Sequence, residues 1–155
     1  MKKTRSINQM LPVFILMLLV QLFLRAHNIT ELPFFIDEDN HIQRAAVIYD
    51  FAHHPAQDSH GKFLFYFLLG VFDLKQRDTA LFLAREMVAL TSLLTSALIF
   101  RMVWRLTRDA AIALLAVALY ALIPYALFYE RMALADPFAG LLGVLTLWLS
   151  LRLAH

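Results

Sequence analysis

Residues 110–129 read AAIALLAVALYALIPYALFY, twenty consecutive positions without a charge. As a helix this stretch would rise about 30 Å, the thickness of a bilayer's hydrocarbon layer. It ends in Tyr125, Phe128 and Tyr129, and aromatic rings favour the headgroup level, so the stretch predicts a membrane span. Just before it, residues 101–108 read RMVWRLTR, a basic cluster that the charge bias of membrane proteins keeps in the cytoplasm. The span 110–129 therefore runs outward. The preceding run, 81–106, runs inward and has fourteen uncharged residues between Glu86 and Arg101.

The outer two spans follow from the same two rules. Residues 137–152 open on Pro137, suited to a first helical turn, and close on Arg152, which returns the chain to the cytoplasm. Residues 7–24 follow Lys2, Lys3 and Arg5, so the N-terminus is expected inside. A cleaved signal peptide is the rival reading. The sequence around Phe23 to Ala26 lacks a small-x-small cleavage pattern and favours an uncleaved anchor. The run Phe63 to Phe72 is only ten residues long and covers about half the bilayer. It is expected as an interfacial or re-entrant helix, the alternative being a span extended by tilted ends. If it crossed, the cluster at 101–108 would face outward.

Of the 155 residues, 61% are hydrophobic and 17% charged, which excludes a free water-soluble globule. The expected fold is all-α: a multi-pass protein of the cell membrane with about four transmembrane helices. Amphipathic juxtamembrane helices are expected in an outer loop spanning about 25–80. The chain has no cysteine, which removes disulfide scaffolds and thiolate metal sites. Its net charge is only +2, and its Lys and Arg residues lie beside apolar runs, so no nucleic-acid partner is expected.

Polar chemistry concentrates in the outer loop, which holds eight of the twelve acids and five of the six histidines. Asp37, Glu38 and Asp39 are consecutive, and Ile42, Ala45, Ala46 and Tyr49 follow at helical spacing. A helix along the membrane surface fits, with Asp37 or Asp39 as its cap. A second acidic site, Glu130 to Pro137, joins two apolar runs on the same expected side. There Asp136 could cap the last helix, and Glu130 with Arg131 could form a polar turn. Acids this close to lipid are usually functional.

The order Asp37-Glu38, then Arg85 opening a span, then Glu130-Arg131 and Leu134-Ala135-Asp136-Pro137 resembles the GT-C membrane glycosyltransferases. The nearest branches are the dolichyl-phosphate-mannose protein mannosyltransferases and the bacterial aminoarabinose transferases that modify lipid A. The resemblance covers nearly all of the chain. It implies transfer of a sugar from a polyprenyl-phosphate donor to an acceptor at the extracytoplasmic membrane face, with inversion at the anomeric carbon. The acceptor, whether protein, lipid or glycan, is left open. By resemblance Asp37 is the base, Glu38 supports it, and Asp136 matches the acid of the second outer loop. Arg85 would lie near the donor phosphate or hold the loop. The stretch Asp58-Ser59-His60-Gly61-Lys62 is similar to a family motif but lacks its Pro-Pro-Leu portion. Family members are also much longer, so the chain is expected to be an N-terminal portion, inactive alone.

The chemistry assigns tasks to the remaining charges. A carboxylate must accept the acceptor's proton, and Asp37 is the candidate. The leaving phosphate needs compensation from Arg85, Arg131 or Lys62, with His60 beside them, or from a divalent ion. Glu130 and Asp136 could position the acceptor, orient Arg131 or bind a metal. His53, His54 and His60 invite a metal reading, but solvated turn residues explain them as well, and no helical ligand spacing supports it. Phe34, Phe35, Phe63, Phe65, Tyr66 and Phe67 could form a prenyl trough or pack at the interface. Small residues including Ala113, Gly140 and Gly143 are expected to allow close helix packing. The rival functions are non-catalytic: lipid-carrier binding without transfer, transport, or an assembly subunit.

Overall fold

The computed structural model describes residues 7–53, 60–72 and 74–154. They form α1 (Ile7–Ala26), a 3-10 turn (Ile29–Glu31), α2 (Ile36–Ala46), α3 (Phe63–Leu69), α4 (Arg77–Thr107), α5 (Ala110–Leu122), α6 (Pro124–Tyr129) and α7 (Ala135–Leu153). No strand occurs among the described residues. Three helical stretches, Met10–Glu31, Thr79–Thr107 and Ala135–Leu153, are long and apolar enough to cross a membrane. Leu16, Leu19, Phe23, Leu94, Leu119 and Leu147 stand exposed on α1, α4, α5 and α7, as side chains facing lipid would.

The run 110–129, expected as one span, is two helices. Pro124 has no N–H to donate and its ring disfavours helical backbone at the residue before it. Ile123 accordingly sits at φ −59, ψ 121, and the chain restarts as a separate six-residue helix. The thirteen residues of α5 rise about 20 Å, less than the hydrocarbon layer. The seven residues of α3 rise only about 10 Å.

α4 is the centre of the bundle, packed on α1, α5 and α7. Two apolar clusters set the relative directions. Met10 of α1, Phe100 of α4 and Ala110, Ala113, Leu114 and Val117 of α5 pack together, so α1 and α5 begin where α4 ends. Phe14 and Phe100 rings meet there at 4.5 Å. The other cluster joins Ile42 and Ala45 of α2, Phe65 and Leu69 of α3, Ala84 and Val88 of α4, and Phe138 and Leu141 of α7. All juxtamembrane elements thus gather at one end. At the opposite end Arg101 lies over Trp104 and Arg152 over Trp148, at 5.0 and 5.5 Å. Such amphipathic pairs suit a membrane interface.

Glycine is required at one close approach. A Cβ on Gly70 would lie 2.5 Å from Ile48 Cγ2 and 2.6 Å from the Ala45 carbonyl oxygen. The backbone oxygen belongs to α2 and cannot swing aside. Gly70→Ala is expected to lower stability by about 1–3 kcal/mol, read as a reduced Tm in detergent. Gly140 and Gly143, expected at packed helix faces, instead have open space where a Cβ would stand. The close approaches within the bundle are made by Ala84, Ala89 and Ala113, all fully buried.

Candidate functional site

The three acids of α2 separate because of where a helix points them. Asp37 and Asp39 are exposed, while Glu38 is completely buried. Neither aspartate caps the helix, contrary to expectation. The cap comes from inside the first turn, where Glu38 Oε2 accepts from the Phe35 N–H at 3.0 Å. Asp39 accepts from Gln43 Nε2 at 2.7 Å, one turn on.

Glu38 meets Arg85, also completely buried, in a two-pronged ion pair: Nε to Oε1 at 2.8 Å and Nη2 to Oε2 at 2.7 Å. The remaining Arg85 hydrogens go to backbone carbonyls. Nη1 donates to Ile29 at 2.6 Å and Leu32 at 3.1 Å, and Nη2 to Pro33 at 3.1 Å. A guanidinium has five N–H groups, and all are spent. Of the two roles open to Arg85, donor phosphate or loop, the geometry gives the second. It holds the segment from α1 to α2 against α4. Burial pushes the Glu38 carboxyl up, but Arg85 and the backbone N–H groups of Ala133 and Phe35 outweigh it and hold the group below its ordinary range.

α2 also grips the second acidic segment. Glu38 Oε1 accepts from the Ala133 N–H at 2.7 Å. One turn on, His41 Nδ1 lies 2.8 Å from the Ala133 carbonyl oxygen. A carbonyl only accepts, so Nδ1 carries the proton and Nε2 presents its lone pair. Lys62 Nζ, at the start of α3, donates to that Nε2 at 3.1 Å. The imidazole is buried against Phe65 and Tyr66 at 5.5 and 5.6 Å. Burial drives the His41 pKa below 6.5. Lys62 adds to the effect, while the Ala133 bond, Asp37 and Asp136 oppose it.

Asp37 lies one turn before His41 on α2, and Asp136 lies in the first turn of α7, three residues after the Ala133 that His41 bonds. Asp136 is exposed and is not the cap of α7, whose N-cap position is Leu134. Asp37, Asp136 and Lys62 are exposed, while His41 is buried. No known protein family, curated protein or solved structure matches the chain.

Glu130 and Arg131 belong to a neighbouring locus. Glu130 is nearly buried and turns away from Arg131 toward Arg25, whose Nε donates to Oε2 at 2.6 Å. The Tyr120 hydroxyl donates to its other oxygen, Oε1. Arg131 Nη2 instead donates to the His27 carbonyl at 2.7 Å, tying the α6–α7 connection to the end of α1. One turn before Arg25, Gln21 is buried, donating to Ser92 and accepting from Ser96 Oγ at 2.6 Å. Sequence reading missed Arg25 and Gln21 as partners, although two polar residues one turn apart in an apolar helix mark a packed face. Asp136, Glu130, Tyr120, Tyr125, Tyr129 and Thr95 help to line a cleft of about 270 Å³ between α4, α5, α6 and α7.

Other sequence candidates are placed more plainly. His60 is exposed in the turn before Lys62, with a left-handed backbone at φ 48. His53 is exposed and paired with Asp50 at 3.0 Å. His54, Asp58 and Ser59 lie outside the described residues. Among the described residues no group of three or more His, Asp or Glu side chains converges as a metal site would. Of the aromatic trough, Phe65 and Tyr66 are core residues, while Phe34, Phe35 and Phe67 are exposed.

Proposed function

We propose that the chain carries the acceptor-activating site of a GT-C type glycosyltransferase that uses a polyprenyl-phosphate-linked sugar at the extracytoplasmic membrane face. The observation that supports it is Lys62 donating to His41, which lies one turn after Asp37 on α2 and is bonded to Ala133, three residues before Asp136, at the end of the bundle opposite the basic residues 101–108. Inverting transfer needs a base for the acceptor and a cation for the leaving phosphate, on opposite sides of the sugar.

Asp37 takes the acceptor hydroxyl proton as the oxygen attacks the anomeric carbon. The bond from that carbon to the phosphate oxygen breaks, and its electron pair leaves with the polyprenyl phosphate. Lys62, exposed and with N–H groups beyond the one given to His41, balances that charge. Asp136 orients the acceptor from the cleft side. Four crossings, with α5 and α6 together as the third and the N-terminus cytoplasmic, complete the reading.

Membranes enriched in the full-length protein, given a polyprenyl-phosphate hexose labelled in the sugar, should move label from the carrier to membrane lipid, glycan or protein. Asp37→Asn should leave the label on the carrier. Carrier that binds without losing label in the unaltered protein overturns transfer and favours a carrier-binding protein.

A further inference from the structure

His41 is buried, and its two ring nitrogens have separate partners. Nδ1 donates to the Ala133 carbonyl and Nε2 accepts from Lys62. The ring cannot shift to follow Lys62, because Phe65 and Tyr66 pack against it and Ala133 is itself gripped by Glu38. Lysine has a long, flexible stem, and at an exposed position its ammonium would sample many places. Here one of those places is fixed by a buried acceptor.

We infer that His41 is a positioning residue: its Nε2 lone pair holds the Lys62 ammonium at the start of α3, where it can receive an anionic phosphate. This rests on the transferase reading for the identity of the phosphate, but the hold on Lys62 does not. The charged groups felt at His41 are Asp37 on its own helix, Lys62 at the start of α3 and Asp136 from α7, and the Tyr66 ring of α3 packs against it. Once protonated, His41 presents an N–H to an ammonium, two donors face to face, and Lys62 must leave.

Two substitutions separate the two halves of the imidazole. Asparagine places an N–H where Nδ1 stands and keeps the Ala133 bond, but cannot reach Lys62. Glutamine places a carbonyl oxygen where Nε2 stands and keeps the Lys62 bond, but not the one to Ala133. The direct readout is acetylation of Lys62 in the full-length protein by an amine-reactive ester at fixed pH, measured by mass spectrometry. His41→Asn should label several-fold faster than the unaltered protein, and His41→Gln close to it. Equal labelling in all three, or faster labelling only in His41→Gln, overturns the assignment.

The second readout is transfer. His41→Asn should raise the KM for the polyprenyl-phosphate hexose about tenfold with kcat changed less, a loss typical of one charge-assisted contact. His41→Gln should restore it. In the unaltered protein donor KM should rise as pH falls through the His41 value, which burial holds below the ordinary histidine range, and that rise should be absent in His41→Gln. A purely structural role through Ala133 gives the reverse order, with His41→Asn the milder change, and overturns the inference. If labelling follows the expected order while no protein transfers sugar, the hold on Lys62 stands and the transferase reading fails.

Discussion

Glu38→Ala should lower the stability of the protein by about 3–5 kcal/mol, the cost of leaving a buried guanidinium without its counter-charge. Arg85 has no route to water, being completely buried, and three carbonyls hold it where it stands. The Phe35 and Ala133 N–H groups lose their acceptor in the same change. Arg85→Leu should cost at least as much, since it orphans Glu38 and the carbonyls of Ile29, Leu32 and Pro33. Because each single change strands the other member of one pair, the double variant should be less destabilised than the two losses added together. Thermal or denaturant unfolding in detergent reads all three. The pH dependence has a definite sign. Glu38 is held below its ordinary 4.5, so its contribution is present above that value and lost as pH falls through the lower folded value. Glu38→Gln should remove this acid-side loss. A Glu38→Ala protein as stable as the unaltered one would show that the clamp holds nothing.

What the sequence made legible depended on the range of the interaction. Apolar runs above about eighteen residues announce themselves by composition, because lipid leaves no alternative to a helix. The break at Ile123 was equally local, a single proline in an otherwise uninterrupted run, yet hydropathy alone treats Pro124 as part of the span. Charge bias and connection length put Asp37 and Asp136 on one expected side, but the cleft that Asp136 lines does not include Asp37. That Glu38 is the structural member and Asp37 the exposed one was not readable. Adjacent acids carry the same composition, and only the packing of α2 on α4, 47 residues away, turns Glu38 to Arg85. Ala133 was invisible for another reason. Its contribution is a peptide N–H and C=O, which every residue but proline has, so nothing in its side chain marks it. His41 was hidden among five histidines in the loop. Its position one turn after Asp37 was the usable signal.

Asp37→Asn should reduce kcat for sugar transfer by about 10²–10⁴-fold, the usual contribution of a positioned general base. The substitution is nearly isosteric and exchanges only the proton acceptor. Asp37 is exposed and Glu38 carries the buried contacts, so stability should change by no more than about 0.5 kcal/mol. Donor binding should persist, because Lys62 and His41 remain. The loss should therefore fall on kcat, with donor KM moved little. Asp136→Asn is the informative comparison, since Asp136 is the exposed acid of the segment that His41 grips through Ala133. If Asp136 orients the acceptor, its loss should raise acceptor KM and spare part of kcat. Should the larger kcat loss follow Asp136→Asn, the base is on α7 and the roles of the two helices exchange. Loss of kcat in neither variant would remove both carboxylates from proton transfer. The Glu38–Arg85 clamp and the Ala133 grip would then serve to fix the Lys62 cation alone, a site for binding a phosphate without cleaving its bond to sugar.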